Sequence, residues 1–289
     1  MSRVRQILFV APAPVVWAQH LGLLQSAELE VETTQTTSSD QMGQGLADGT
    51  FDVGIGVMDN VFAWNAERHA GLKMLAQLER SQPMALCAAP SCKTLEDAAR
   101  GAIAVDAVTN GFVLVLYRAL ARAGIDRAAC RFASVGGVRH RYEALVAGKA
   151  AATILVPPFI DMAVAAGCHV LWRGSDLAPT YPGVVATARA RWIDANRPAA
   201  LAYVRALARA NAWAGEPAHR DEAVAALVGS RYSEAAARGL VDARMARLEP
   251  SRAGWDEVIA LRREAGLFAG AAPAFESVAD LALLREAAA

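Results

Sequence analysis

The chain has 289 residues, with 29 basic and 29 acidic side chains and a formal net charge of zero. Hydrophobic residues make up 54% of it and charged residues 20%, which argues against a disordered chain and leaves core material for one large or two modest domains. A neutral chain lacks the basic surface that nucleic-acid binding requires, so we expect no nucleic-acid partner.

The N-terminal residues MSRVRQILFV resemble a secretory signal, with two arginines before an apolar stretch. Pro12 and Pro14 interrupt that stretch, however, and the sequence then continues with helical periodicity. We expect a cytoplasmic protein if Met1 is the native start and a periplasmic one if a signal peptide was removed. Because no apolar run reaches the ~20 residues of a transmembrane helix, we also expect no membrane-spanning segment.

The first ninety residues alternate between strand and helix patterns. The predicted elements are strands at 7–10, 29–37 and 51–57, helices at 15–24 and from TTSSD at 36–40 to about Asp48, and two extended runs within 73–89 around Ser81-Gln82-Pro83. The order β-α-β-α-β indicates a mainly parallel sheet with helices on its faces.

A second series of the same kind follows. It predicts strands at 102–105, 130–134, 151–156, 169–172 and 183–188, and helices at 94–100, 109–123, 139–147 and 159–166. From Trp192 onward the pattern is almost entirely helical, with helices at 197–213, 219–229, 233–247, 254–265 and 276–287.

One phrase occurs twice: LADGTFDVGIGVM begins at Leu46 and LVAGKAAATILVP at Leu145. Each predicts a helix end, a glycine turn and a strand, so we interpret them as equivalent parts of two lobes. The predicted fold class is α/β, with two Rossmann-like lobes joined by a hinge and a helical C-terminal region packing on the first lobe. Lobe 1 is predicted to comprise 1–88 plus 186–289, and lobe 2 to comprise 89–185, with crossings near 86–92 and 180–187.

The order of these motifs resembles the type 2 periplasmic substrate-binding proteins of ABC transporters, in the branch for nitrate, sulfonates, taurine and thiamine-pyrimidine precursors. The segments that carry the resemblance are PVVWAQHLGLL, QGLADGTFDVGIG, TLEDAARGAIAVD, RYEALVAGKAAATILVPP and WDEVIALRREAGLF with ESVADLALLREA near the C-terminus. The resemblance covers nearly the whole chain. It implies a solute-binding protein whose lobes close around one small ligand, with an ABC transporter permease as a possible partner.

Ligands of open α/β sheets bind beyond the carboxyl ends of the strands, so residues that follow strands are the candidates for ligand binding. In lobe 1 these are Pro12, Trp17, Thr37, Ser38, Ser39, Asp59 and Asn60, and in lobe 2 Asn110, Gly111, Phe112, Gly136, Arg139, Pro157 and Phe159. For several of them a structural role is an alternative: Trp17 and Phe159 could be core residues, and Ser38 or Asp59 could be helix caps.

The chemistry of these residues favours a small, planar or compact ligand with an acidic group. Two helix N-termini, at Ser38–Ser39 and Asn110–Gly111, are predicted to present free N–H groups. Arg139 is predicted to supply a full charge to an oxyanion, and Arg141 to be solvated. Asp59 leaves open a ligand that also carries a hydrogen-bond donor.

An enzyme of the same fold, such as a decarboxylase or a pyrimidine-precursor synthase, is the alternative function. The sequence contains no HExxH, GxSxG or P-loop motif, so a non-enzymatic protein is favoured. If the chain is an enzyme, Asp59 and His69 are the acid–base candidates and Cys87 a nucleophile candidate. The four cysteines lack metal-ligand spacing, and we expect neither a metal nor a cofactor.

Overall fold

The computed structural model describes residues 1–81, 83–109 and 111–288. Its strands are β1 (Ser2–Leu8), β2 (Leu29–Gln35), β3 (Val53–Val57), β4 (Leu72–Gln77), β5 (Ala85–Ala88), β6 (Ala102–Val105), β7 (Arg131–Ser134), β8 (Ala152–Leu155), β9 (His169–Arg173) and β10 (Val184–Arg189). Its α-helices are α1 (Ala13–His20), α2 (Leu23–Ser26), α3 (Ser39–Asp48), α4 (Asp59–Arg68), α5 (Leu95–Arg100), α6 (Val113–Arg122), α7 (Val138–Val146), α8 (Phe159–Ala165), α9 (Gly174–Leu177), α10 (Ala190–Ala195), α11 (Arg197–Trp213), α12 (Arg220–Gly229), α13 (Glu234–Asp242), α14 (Arg252–Glu264), α15 (Phe275–Val278) and α16 (Leu281–Ala288). None of these helices is both long and apolar enough to cross a membrane, for the residues described.

Two sheets of five strands form the centres of two lobes, as predicted. The first sheet has the order β2-β1-β3-β10-β4 and the second β7-β6-β8-β5-β9. In each sheet the first three strands are parallel, and a strand that arrives from the other half of the chain is inserted antiparallel beside them: β10 in the first sheet and β5 in the second. We use lobe 1 for the part built on the first sheet and lobe 2 for the part built on the second.

The inserted strands show where the chain crosses between sheets. Ala85–Ala88 pairs with β8 and β9, so this strand belongs to the second sheet although the predicted first segment of lobe 1 runs to residue 88. Val184–Arg189 pairs with β3 and β4 in the first sheet, two residues before the predicted return at 186. A division by sheets therefore falls before Ala85 and before Val184.

The predicted helix at 276–287 is two short helices in the structure. Ala279 forms an isolated parallel bridge with Met74, and the N–H of Asp280 donates to the carbonyl of Met74 at 2.9 Å. This pairing with β4 interrupts the helix between α15 and α16, and helical periodicity alone does not reveal it.

The repeated phrase occupies equivalent places in the two lobes. In lobe 1, α3 ends at Gly49 and the chain leads into β3. In lobe 2, α7 is likewise followed by Gly148 and the chain leads into β8. β3 and β8 each lie between the first parallel strand of their sheet and the inserted antiparallel strand. Gly49 has φ +93° and Gly148 φ +69°, a left-handed conformation in which a Cβ is unfavourable.

The two glycines differ in their surroundings, which gives a testable prediction. We expect Gly148→Ala to cost about 1–2 kcal/mol of unfolding free energy, because only the backbone conformation opposes it. Gly49→Ala should cost more, because its Cβ would lie 2.2 Å from Nη1 of the buried Arg189, which would have to move. Urea unfolding measures both. Gly239→Ala, in a helix and in open space, is the control and should not destabilise. Equal losses at Gly49 and Gly148 would contradict the prediction.

Helix α14 connects the two lobes. Its residues Trp255 and Ile259 belong to a hydrophobic cluster of lobe 1, while Leu261 belongs to the cluster of lobe 2. Two glutamates of α14 also pair with Arg118 of α6, in lobe 2. The helical C-terminal region thus packs on lobe 1, as predicted, and through α14 it contacts lobe 2 as well.

An ion pair is buried where α14 meets both lobes. Asp59, the first residue of α4, is 0% exposed and Arg262 of α14 is 2% exposed. Arg262 donates from Nε and Nη2 to the Asp59 carboxylate at 2.6 and 3.0 Å, and Nη2 also donates to the carbonyl of Thr109 at 3.2 Å. The N–H of Gly111 in lobe 2 donates to the same carboxylate at 2.7 Å. One carboxylate therefore joins lobe 1, lobe 2 and α14.

Loss of one partner should be costly, because the other charge stays buried. We expect Arg262→Met to lower the unfolding free energy by about 3–5 kcal/mol in urea unfolding. Arg238→Met is the matched control, since Arg238 pairs with Glu234 at 2.8 Å on the exposed face of α13 and should change stability by less than about 0.5 kcal/mol. If both variants are equally stable, the buried pair does not hold the lobes together.

Candidate functional site

A cavity of about 1320 Å³ opens between the lobes at the carboxyl ends of their parallel strands. Its lining includes Leu8 and Val57, the last residues of β1 and β3, and Val105 and Val156, at the ends of β6 and β8. Parallel strands place their carboxyl ends along one edge, and here the corresponding edges of two sheets face each other. The cavity is therefore the candidate ligand site.

Arg141 of α7 is the buried cation of this cavity. It lines the cavity and is 5% exposed, and its Nη1 donates to the carbonyl oxygen of Ile154 at 2.8 Å. Its Nε is buried and has no hydrogen-bond partner among the described residues. Burial lowers the pKa of the guanidinium to about 10, although the carboxylate of Asp106 acts in the opposite direction. A ligand oxyanion would supply the compensating charge.

The prediction that Arg141 is solvated is wrong, and the sequence contained a signal for its burial. Val138, Arg141, Tyr142 and Leu145 follow the spacing i, i+3, i+4, i+7, which places them on one face of α7. Leu145 is 1% exposed, so Arg141 lies on the side of the helix that faces the protein. Arg139, the predicted cation, is exposed at the cavity wall with its guanidinium carbon 5.6 Å from the ring centre of Phe159.

Hydrogen bonds cross between the lobes at the edge of the cavity. Ser39, at the start of α3, donates through Oγ to the carboxylate of Asp106, which follows β6. The N–H of Gly137 donates to the carbonyl of Thr37 at 2.9 Å. Gly136 permits this approach, since a Cβ there would lie 3.2 Å from the same carbonyl. The two glycines thus allow the backbone of lobe 2 to approach the backbone of lobe 1 closely.

Asn60 adds a polar group to the cavity wall. Its side chain lines the cavity and the residue is 4% exposed, but no described residue forms a hydrogen bond with its amide. A buried amide without a protein partner is available to a ligand as donor and acceptor. Together with Arg141 it gives the cavity polar groups from both lobes.

Apolar rings complete the walls. Phe112 and Phe159 both line the cavity, and the guanidinium carbon of Arg141 lies 5.9 Å from the ring centre of Phe112. Trp17 also borders the cavity, but it is 0% exposed in the core of lobe 1 and its indole N–H donates to the carbonyl of Ala223 at 3.0 Å. The core role that the sequence left open for Trp17 therefore accounts for its position.

The structure brings together nine of the predicted residues around the cavity, namely Trp17, Thr37, Ser39, Asn60, Gly111, Phe112, Arg139, Pro157 and Phe159. Pro12, Ser38, Asp59 and Gly136 are not among its lining residues. Pro12 and Ser38 precede α1 and α3, and the hydroxyl of Ser38 accepts a hydrogen bond from the N–H of Gln41 as a helix cap. Asn110 lies outside the described residues.

The second predicted anion site, at the start of α6, is occupied by the protein itself. The N–H of Gly111 donates to Asp59, so this donor is used inside the fold. Asp59 in turn is held by Arg262 and is closed off from solvent. Neither group is free for a ligand in this arrangement. Arg141 and Asn60, which are buried and line the cavity between the sheets, keep polar atoms that have no partner among the described residues.

The residues nominated for catalysis do not meet in the cavity. Asp59 is in the buried ion pair, His69 is exposed just after α4, and Cys87 lies in β5 and is 0% exposed. Burial raises the pKa of the Cys87 thiol to about 12, which is unfavourable for a nucleophile. Within the described ranges, no group of three or more His, Cys, Asp or Glu side chains could hold a metal ion.

The comparison with known sequences gives one family. A family model described as the NMT1-like family matches residues 6–228. No curated protein sequence matches the chain significantly.

Solved structures with the same fold cover almost the whole chain. A ligand-binding component of an ABC-type import system from Staphylococcus aureus, solved with zinc bound, has a TM-score of 0.81 at 14% identity and covers 99% of both chains. The alkanesulfonate-binding protein SsuA from Xanthomonas axonopodis pv. citri, bound to MOPS, has a TM-score of 0.72 at 18% identity and covers 93% of this chain and 92% of its own. The desulfurization enzyme DSZB has a TM-score of 0.71 at 14% identity and covers 100% of this chain and 99% of its own. The predicted two-lobed binding-protein fold is confirmed.

The buried charge of Arg141 gives a prediction for stability. We expect Arg141→Met to raise the melting temperature of the ligand-free protein by a few degrees, because a guanidinium whose pKa is lowered by burial destabilises the folded state at neutral pH. The lost hydrogen bond to Ile154 offsets part of this gain. Arg139→Met, at an exposed position two residues away, is the control and should leave the melting temperature unchanged. A lower melting temperature for Arg141→Met would mean that Arg141 serves the fold and not a ligand.

Proposed function

This chain belongs to the NMT1-like family, and from its fold and cavity we propose that it is a solute-binding protein that closes two lobes around a small organic anion. The observation that carries the proposal is Arg141, a buried cation at the cavity wall whose Nε has no partner among the described residues. Asn60 from the opposite lobe and the rings of Phe112 and Phe159 support it, since they suit a ligand that has polar and apolar parts next to its acidic group.

The solved structures of the same fold support the binding role. Two of them are described as a ligand-binding component of an import system and as an alkanesulfonate-binding protein. By analogy the ligand-loaded protein would deliver its solute to an ABC-type permease or act as a sensor, and a periplasmic location would accompany the first role.

An enzyme remains the second function that this fold supports, because DSZB is an enzyme with the same fold. The nominated residues Asp59, His69 and Cys87 do not line the cavity, which weakens the version of that hypothesis drawn from the sequence. Binding without chemistry is the function that the cavity supports best.

The test compares acids with their neutral analogues. We expect benzoate and benzenesulfonate to bind more tightly than benzamide and benzenesulfonamide in calorimetric titrations, because charge-assisted hydrogen bonds contribute about 1.5–3 kcal/mol each. Arg141→Met should weaken the acids by about tenfold to a hundredfold and leave the amides nearly unchanged.

Arg139→Met is the matched variant, and its effect on the acids should be smaller because Arg139 is exposed. Equal affinity for acids and amides in the wild type would refute an anion site. Mass spectrometry of the recovered ligand tests the enzyme alternative, which requires a product to appear.

A further inference from the structure

The cavity continues beyond the space between the sheets into a side chamber next to α13. Ala236, Gly239, Leu240 and Ala243 all line it, and their spacing of i, i+3, i+4 and i+7 places them on one face of the helix. The helix is anchored through other residues, since Ala237 and Val241 are buried in the core of lobe 1. Leu240 packs against the same core, whereas Gly239 and Ala243 are exposed and are not needed to hold α13 in place.

The chamber is joined to the ligand site through the end of β1. Tyr232, between α12 and α13, donates from its hydroxyl to the carbonyl of Ala11 at 2.8 Å, which fixes this connection beside the β1–α1 turn. Pro14, Leu78 and Val184 form part of the wall of the same cavity. These apolar residues form a strip that is flanked by polar lining residues such as Glu79, Arg80 and Arg244.

A buried amide lies in this chamber. Asn211 of α11 lines the cavity and is 2% exposed, and its Nδ2 donates to the carbonyl of Met245 at 2.8 Å. No described residue donates to its Oδ1, so this side chain retains a free acceptor although it is more than nine-tenths buried. An empty acceptor at the wall of this chamber suits a ligand that enters the chamber.

The size of the cavity leads to the same conclusion. Pockets for drug-sized ligands usually have about 300–1,000 Å³, and this cavity, with the chamber included, has about 1320 Å³. We propose, resting on the anion-binding function above, that the natural ligand is elongated: its acidic group binds at Arg141, and an apolar chain extends into the chamber along Ala236, Gly239 and Leu240. A polar atom far along that chain would meet Asn211.

A chain-length series tests the chamber. We expect calorimetry with linear alkanesulfonates, from ethanesulfonate to decanesulfonate, to show about fourfold tighter binding per buried methylene until the chamber is filled. Gly239→Leu should remove most of this gain and lower the affinity for decanesulfonate by about tenfold or more, while ethanesulfonate binds as in the wild type. The substitution is compatible with the fold, because Gly239 lies in a helix and a Cβ there meets no atom within 4 Å.

Ala235→Leu is the matched control, since Ala235 is exposed on the same helix and does not line the cavity, and it should behave as the wild type. The proposal is overturned if affinity does not depend on chain length, or if the gain persists in Gly239→Leu, which would indicate non-specific adsorption. If ethanesulfonate and benzoate both fail to bind, the anion-binding function itself fails and the chamber proposal with it. If short acids bind and long acids bind no more tightly, the chamber proposal alone is refuted and the anion-binding function stands.

Discussion

The carboxylate of Asp59 lies at the point where lobe 1, lobe 2 and α14 meet, and the arrangement of the lobes depends on satisfying it. A buried carboxylate requires a cation and further donors, and here Arg262 supplies the charge from α14 while Gly111 supplies a backbone N–H from lobe 2. The two partners lie 203 and 52 residues from Asp59 in the chain, so all three residues meet only when both lobes and the C-terminal helix are in place. The ion pair thus couples the C-terminal region to the geometry of the cavity.

This coupling also decides which groups remain for a ligand. The N–H at the start of α6 is used by Asp59, and the hydroxyl of Ser39 is used by Asp106 across the cavity edge. Among the buried side chains that line the space between the sheets, Arg141 and Asn60 keep polar atoms without a partner among the described residues, one from each lobe. A ligand that bridges them contacts both lobes at once, which is the property that a two-lobed binding protein needs in order to favour its closed arrangement.

The fold could be predicted from the sequence because its signals are local. The glycines at 49 and 148, the cap at Thr94 and the strand patterns each act within a few residues, and they place most elements within two or three positions. The roles of individual polar residues were harder to predict from the sequence, because the partners of a polar residue come from distant segments. Asp59 met Arg262 more than two hundred residues away, and no local pattern separates that role from ligand binding. Arg141 was the exception: helical spacing with Leu145 indicated its burial, but its charge outweighed the periodicity in our interpretation.

The hydrogen bond from Gly137 to the carbonyl of Thr37 joins main chain to main chain across the edge of the cavity. Only a proline at position 137 would remove its N–H donor, because both groups belong to the main chain. The Ser39–Asp106 contact, by contrast, is lost when either side chain is replaced by an apolar one. In the proposed function, this hydrogen bond has to break whenever the lobes separate to admit or release a solute. On that proposal, the residence time of a solute depends partly on a backbone contact, and substitutions in the wall that change which solute binds would leave this contribution to its release unchanged.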